Sequence, residues 1–333
     1  MRRALKTQDH NDQRESGSIL TLRTPPSFSF LRAVYSHGWF DLPPFGWDEA
    51  TRTLRRVIRT SSRRALSLSI REARPGALTI TFDPPLRAAA QAASARDRAE
   101  AIRQVRHMLR LDEPFAEFHG LCRGIEGYDW VSRAKAGPLL RAPEPFEDLV
   151  KMICTTNCTW ALTRVMVRAL VGELGVAASG KPADRSFPTA EAMAASPLRF
   201  YVKTVRAGYR GAYLKELAAR VASGDLDPRR WLDPGMPVEE IREEIRSVKG
   251  AGRYVSDNVL KLLGRYEGLG IDSWCRRKFS EMHGRGRAVS DRAIERFYAP
   301  FGPWRGLALW CDLTREWFDG DLPISLRKLG ESY

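Results

Sequence analysis

Apolar and polar residues alternate with period two over residues 19–24, 53–59, 65–71 and 77–82. That pattern predicts strands with one buried face. Pro75 and Gly76 supply the turn chemistry of a hairpin between the last two. The expected product is an antiparallel sheet with one solvated side. Between the first strands, residues 36–47 form an aromatic, turn-rich loop whose tryptophans, Trp39 and Trp47, suit core packing or the wall of a cleft. After Pro84 and Pro85 the period changes, and an alanine- and arginine-rich helix is expected to about Leu111. Residues 112–140 are mixed and contain glycine, as a passage between two lobes would.

From Pro145 the chain reads as nearly all helix. Pro145, Glu147 and Asp148 make a first turn of the expected kind, the helix breaks at 155–159, and a second one runs to Gly175. Residues 176–200 read as a loop with a short helix. Val238, Ile241, Ile245 and Val248 form one apolar helical stripe, and Val255, Val259, Leu262 and Leu263 form a second. A loop rich in glycine and proline then feeds a last apolar helix ending near Leu313. The predicted class is α+β. A polar tail (1–18) precedes an N-terminal antiparallel β-sheet lobe with a helix (19–140), packed on a mainly α-helical domain (141–330).

Composition narrows the function. A chain of 333 residues with 43% hydrophobic content is long enough for two lobes with a normal core. No apolar run approaches eighteen residues, so no membrane association is expected, and the first residues lack the apolar stretch of a secretion signal. Formal net charge is +14 and the pI is about 9.9, with arginine the commoner cation. A guanidinium-rich surface suits phosphate contacts, which points to nucleic acid. Cys122, Cys154, Cys158, Cys275 and Cys311 include no C-x2-C pair and form no disulfide framework. Neither a structural zinc site nor an iron–sulfur ligand set is expected, and no cofactor. The compartment expected is reducing: cytoplasmic, and nucleoid-associated in a bacterium.

The stretch Val248-Lys249-Gly250-Ala251-Gly252 lies between the two apolar stripes. Glycines one residue apart let the chain turn sharply and expose its N–H groups beside the second helix's N-terminus, a geometry that binds a phosphate oxygen. An ordinary helix junction is written the same way. Asp272, twenty residues past Gly252, adds a carboxylate at the start of another helix.

Four islands, 153–157, 208–210, 248–254 and 271–272, followed by Pro300-Phe301-Gly302-Pro303-Trp304-Arg305-Gly306, together resemble the helix-hairpin-helix DNA glycosylases. The preceding sheet and the missing cysteine cluster make the chain more similar to the 8-oxoguanine and 3-methyladenine branches. That resemblance implies a repair enzyme which flips a damaged purine, alkylated or oxidised, out of double-stranded DNA, cleaves its glycosidic bond and acts as a monomer. Asp272 matches the catalytic aspartate. Lys249, Gly250, Ala251 and Gly252 match the hairpin that grips a DNA phosphate, where a monovalent cation often shares the backbone. Lys249 and Ala251 depart from the family's usual proline and valine. Tyr254 stands where bifunctional members carry the lysine that attacks the sugar, which implies a monofunctional enzyme using water. Asn157, Tyr209 and Arg210 match residues that fill the gap left by the flipped nucleotide and meet the orphaned base. Leu162 replaces a second arginine that reads the opposite base. Tyr254, Asn258, Leu309 and Leu313 are the implied base pocket. The alternatives are a bifunctional glycosylase/lyase, a non-catalytic helix-hairpin-helix DNA binder and a basic RNA-binding protein.

Overall fold

A computed structural model describes residues 19–82, 94–178 and 181–317. The expected tail and the start of the segment after Pro84 lie outside them. The N-terminal lobe is an antiparallel sheet of β1 (Ile19–Arg23), β2 (Phe45–Asp48), β3 (Thr53–Arg59), β4 (Ala65–Arg74) and β5 (Ala77–Phe82), in the order β1-β5-β4-β3-β2. β2 is an addition to the four strands expected. It grows from the aromatic loop and forms an edge. Register aligns Trp47, Leu54, Ile70, Ile80 and Leu20 in one row across the sheet, facing the core.

The outer face is less solvated than the alternation predicts. A short ribbon pairing Ala177–Ala178 with Lys181–Arg185 lies over it, where Ala178 joins Val57 and Ala65 in a small apolar cluster. Ser67 donates to Asp184 there at 2.8 Å. This ribbon and two short helices, Ala190–Ala195 and Leu198–Lys203, occupy the region expected to be mostly loop. The helix Ala95–Met108 starts with Ser94 and Asp97 capping each other.

The lobes share one continuous core. β3 carries Arg56 in an inward position, and its guanidinium makes a bidentate contact, 2.8 and 2.6 Å, with Glu147 of the helix Pro145–Thr155. Lys151, one turn on, meets the same carboxylate at 2.7 Å. Burial alone would raise the Glu147 carboxyl, but the two cations hold it below the usual carboxylate range. The C-terminal helix Arg305–Leu313 is apolar almost all round and lies in the middle of the domain.

Candidate active site

The hairpin joins the helices Val238–Arg246 and Arg253–Leu263. Ile241, Ile245, Val255 and Val259 are buried between them and their neighbours, as the stripes predict. Gly250 has φ of +85°, and a Cβ there would fall 2.7 Å from the Tyr213 ring, so two independent reasons require glycine. Gly252 caps the second helix without a side chain, leaving its first amides without a side-chain acceptor. Lys249 projects at the rim and touches Glu216 at 2.9 Å, an exposed pair of little strength. Ala251 is buried under the turn.

Asp272 is half-buried and caps the helix Ser273–His283, accepting a hydrogen bond from the Cys275 N–H at 2.8 Å. The loop that delivers it is fixed peptide by peptide. Gly306 donates its N–H to Tyr266 O at 2.7 Å, and Arg305 donates to Glu267 O at 2.6 Å. Lys261 donates to Leu269 O at 2.6 Å, and the Gly270 N–H donates to Asp257 at 3.2 Å. Asp257 is itself gripped by Arg242 of the first hairpin helix. The hairpin and the loop before the carboxylate are therefore joined by hydrogen bonds through Asp257.

Beside them lies a narrow apolar pocket walled by Trp39, Trp160, Trp310, Tyr254, Asn258 and Lys261. Tyr254, Asn258 and Lys261 are spaced i, i+4 and i+7 on one face of the second hairpin helix. Each tryptophan directs its indole N–H elsewhere: Trp39 to Asp148 at 2.7 Å, Trp160 to Asp41 at 2.8 Å and Trp310 to Ser36 O at 2.9 Å. The tryptophans therefore offer the pocket ring surface and no N–H donors. Burial, reinforced by the charge of Asp272, pushes the Tyr254 hydroxyl up, so it keeps its proton. His37, also at the pocket, is lowered to about 3 by burial and is neutral; its Nε2–H donates to Leu140 O.

Three expected site residues lie elsewhere. Leu309 and Leu313 are 0% exposed and belong to the core, because the last helix turns a different side to the pocket and presents Trp310. Arg210 is only 4% exposed and donates to Asn157 O at 3.0 Å and to Thr156 O, so its guanidinium supports the loop from beneath and does not reach outward to a base. Asn157 (φ +45°) and Tyr209 (53% exposed) do meet at the surface, with Asn157 Nδ2 donating to the Tyr209 hydroxyl at 3.4 Å. Leu162 is half-buried. Trp39 was open to core packing or a cleft wall and lines the pocket, while His37, Trp160, Lys261 and Trp310 went unassigned. Among those four, Lys261 left a usable sign, a cation two turns past Tyr254 on the same helix face.

No protein-family profile matches the chain. A curated relative, the N-glycosylase/DNA lyase of Saccharomyces cerevisiae, is 25% identical over 147 residues. The match spans 39% of this chain and 39% of that protein's length. The apo-form of the Clostridium acetobutylicum 8-oxoguanine glycosylase/lyase superposes with a TM-score of 0.69 at 16% identity, covering 90% of this chain and 98% of that one. The 3-methyladenine DNA glycosylase of Archaeoglobus fulgidus gives 0.69 at 19% identity, covering 90% and 99%. The Clostridium protein bound to double-stranded DNA with cytosine opposite 8-oxoguanine gives 0.65 at 15% identity, covering 91% and 97%. The fold is α+β and is that of the helix-hairpin-helix 8-oxoguanine and 3-methyladenine glycosylases.

Proposed function

We propose that this chain, with the fold of the helix-hairpin-helix DNA glycosylases, is a base-excision enzyme that hydrolyses the glycosidic bond of a damaged purine in duplex DNA. The hairpin at 248–252 holds a phosphate through its free amides. Asn157 and Tyr209 occupy the space vacated by the extruded nucleotide, offsetting the few kcal/mol that flipping costs. Asp272 stabilises the positive charge that develops on the sugar and orients the attacking water. The observation that carries the reading is Asp272, fixed beside an aromatic pocket on the same hydrogen-bonded frame as the hairpin. A mere DNA clamp has no use for that arrangement.

The tryptophan ring faces suit an electron-poor, alkylated purine held by stacking. Tyr254, in place of an amine beside the sugar, favours water as the nucleophile. The name of the yeast relative favours the competing glycosylase/lyase reading. Lys261 is the amine such a reading would use. It lies seven residues beyond Tyr254, about 10 Å along the helix axis from the position that faces the hairpin.

The test is base release from duplexes that each hold one alkylated, oxidised or deaminated base, scored with and without hot alkali. Strand breaks that appear only after alkali support a monofunctional glycosylase. Breaks without alkali, together with a borohydride-trapped adduct, favour the lyase. No release from any duplex leaves only the DNA-binding reading.

A further inference from the structure

Lys261 is a lysine without a carboxylate on its amine. It is 2% exposed and lines the pocket, where its Nζ donates to Leu269 O at 2.6 Å and to Asn258 Oδ1 at 3.2 Å. An ammonium has three donors, and these two bonds use two of them. Asn258 in turn donates to Tyr254 O at 2.9 Å, so its carbonyl oxygen is fixed toward the lysine. The other polar groups of the pocket cannot deliver a proton. His37 is neutral with its one N–H on Leu140 O, and burial suppresses the acidity of the Tyr254 hydroxyl. Among the described residues lining the pocket, Lys261 is the one that can carry an ammonium.

Building on the glycosylase reading, we propose that Lys261 is the general acid that protonates the departing base. The enzyme then releases neutral purines as well as cationic alkylated ones. A cationic base leaves without help, but a neutral one departs as an anion unless a ring nitrogen or carbonyl oxygen is protonated. The step balances. The third N–H of Lys261 passes to the base as the C1′–N bond breaks, and water adds its oxygen to C1′ beside Asp272. The proton that water loses returns through solvent to the lysine.

The surroundings tune the group for this work. Burial lowers the Lys261 ammonium from its usual range, while Cys275, Asp257 and Asp272 oppose the fall. His37 faces it from the N-terminal lobe. Arg110 grips the Lys261 main-chain carbonyl at 2.7 Å, and Arg141 grips that of Leu262 at 3.0 Å, fixing the helix end behind the amine.

The experiment compares single-turnover release of hypoxanthine, a neutral base, with that of cationic 7-methylguanine by wild type, Lys261→Met and Lys261→Arg across a pH series. General acids contribute about 10²–10⁴-fold. Lys261→Met is therefore expected to lower the neutral-to-cationic ratio by about 100-fold or more. Wild type is expected to lose neutral release at high pH, a limb absent from the Met variant. Lys261→Arg keeps donors for Leu269 O and Asn258 but holds its proton too tightly, so the ratio is expected to stay low. Four results would overturn the proposal: an equal loss on both bases, no loss on either, recovery of the ratio in the Arg variant, or a wild type that releases only the cationic base. A wild type inactive on both and on every other duplex of the alkylated, oxidised and deaminated panel would sink the glycosylase reading itself, a separate and recognisable outcome.

Discussion

Two lysines are buried among the described residues, and their different partners separate two regions of the molecule. Lys151 is 0% exposed at the junction of the lobes and sits 2.7 Å from Glu147, which Arg56 also grips. Lys261, in the pocket lining, has only a peptide carbonyl and an amide oxygen. Burial lowers both ammonium groups from their usual range. At the junction an anion answers the charge directly, so the lysine is part of the fold. At the pocket nothing does so at contact distance, and the group remains available for chemistry. The same residue type, equally buried, is structural or reactive according to what faces it.

The contrast can be broken most sharply at the junction. Glu147→Gln removes the shared carboxylate and leaves two buried cations unanswered, which is expected to cost about 3–5 kcal/mol of stability. Thermal or denaturant unfolding reads that loss. The preference between neutral and cationic bases should not move, and a moved preference would mean the two regions are coupled.

Asp272→Asn is the converse case. Asparagine caps a helix about as well as aspartate, so stability should change little. Base release should fall by about 10²–10³-fold with DNA binding retained, as expected when a preorganised charge at the transition state is lost. Unchanged turnover would remove Asp272 from the chemistry.

Acid should expose a third difference. The folded pKa of His37 is lowered to about 3, against about 6.5 for an unperturbed histidine. Between those values the unfolded chain binds a proton that the folded chain refuses. Stability is therefore full above about pH 6.5 and falls as pH drops toward 3, by at most about 1.4 kcal/mol per pH unit for this residue. His107, lowered to about 2 by burial and by Arg141 and Arg110, adds a slope of the same sign. Unfolding of His37→Gln against wild type at pH 7 and pH 4.5 checks this: the variant should lose less stability between the two.

The smallest effect belongs to the rim. Lys249→Ala should weaken DNA binding a few-fold, evenly across sequences, and reduce the salt slope by about one counterion. Binding isotherms over a salt series test it. An unchanged slope would mean Lys249 stays with Glu216 in the complex.

The sheet and hairpin helices were legible because each is written in a local period. Alternation over 53–59 and 77–82 and the stripes at 238–248 and 255–263 have one compact solution each, and β3, β5 and both hairpin helices follow it. β2 was hidden because Phe45-Gly46-Trp47-Asp48 is too short to show a period. The pocket was hidden for a deeper reason. Its walls come from the aromatic loop, three helices of the second domain and the last helix, so no stretch of chain contains it. On the last helix, a difference of one residue separates core Leu309 from pocket Trp310. Arg210 misled for a similar reason, because a cation next to an exposed tyrosine gives no sign of turning inward to bond main-chain carbonyls.

By itself, then, the sequence determined what depends on neighbours within a turn or a strand: the α+β class, the hairpin with its required glycine at 250, and the position of Asp272 at a helix start. Tertiary structure decided what depends on residues far apart in the chain. It turned three tryptophan N–H groups away from one pocket, bolted the loop before Asp272 to the hairpin helix, and left the Lys261 amine without a carboxylate in contact. Burial and charge compensation are properties of a three-dimensional neighbourhood, and a buried lysine cannot be told from a surface one until that neighbourhood is assembled.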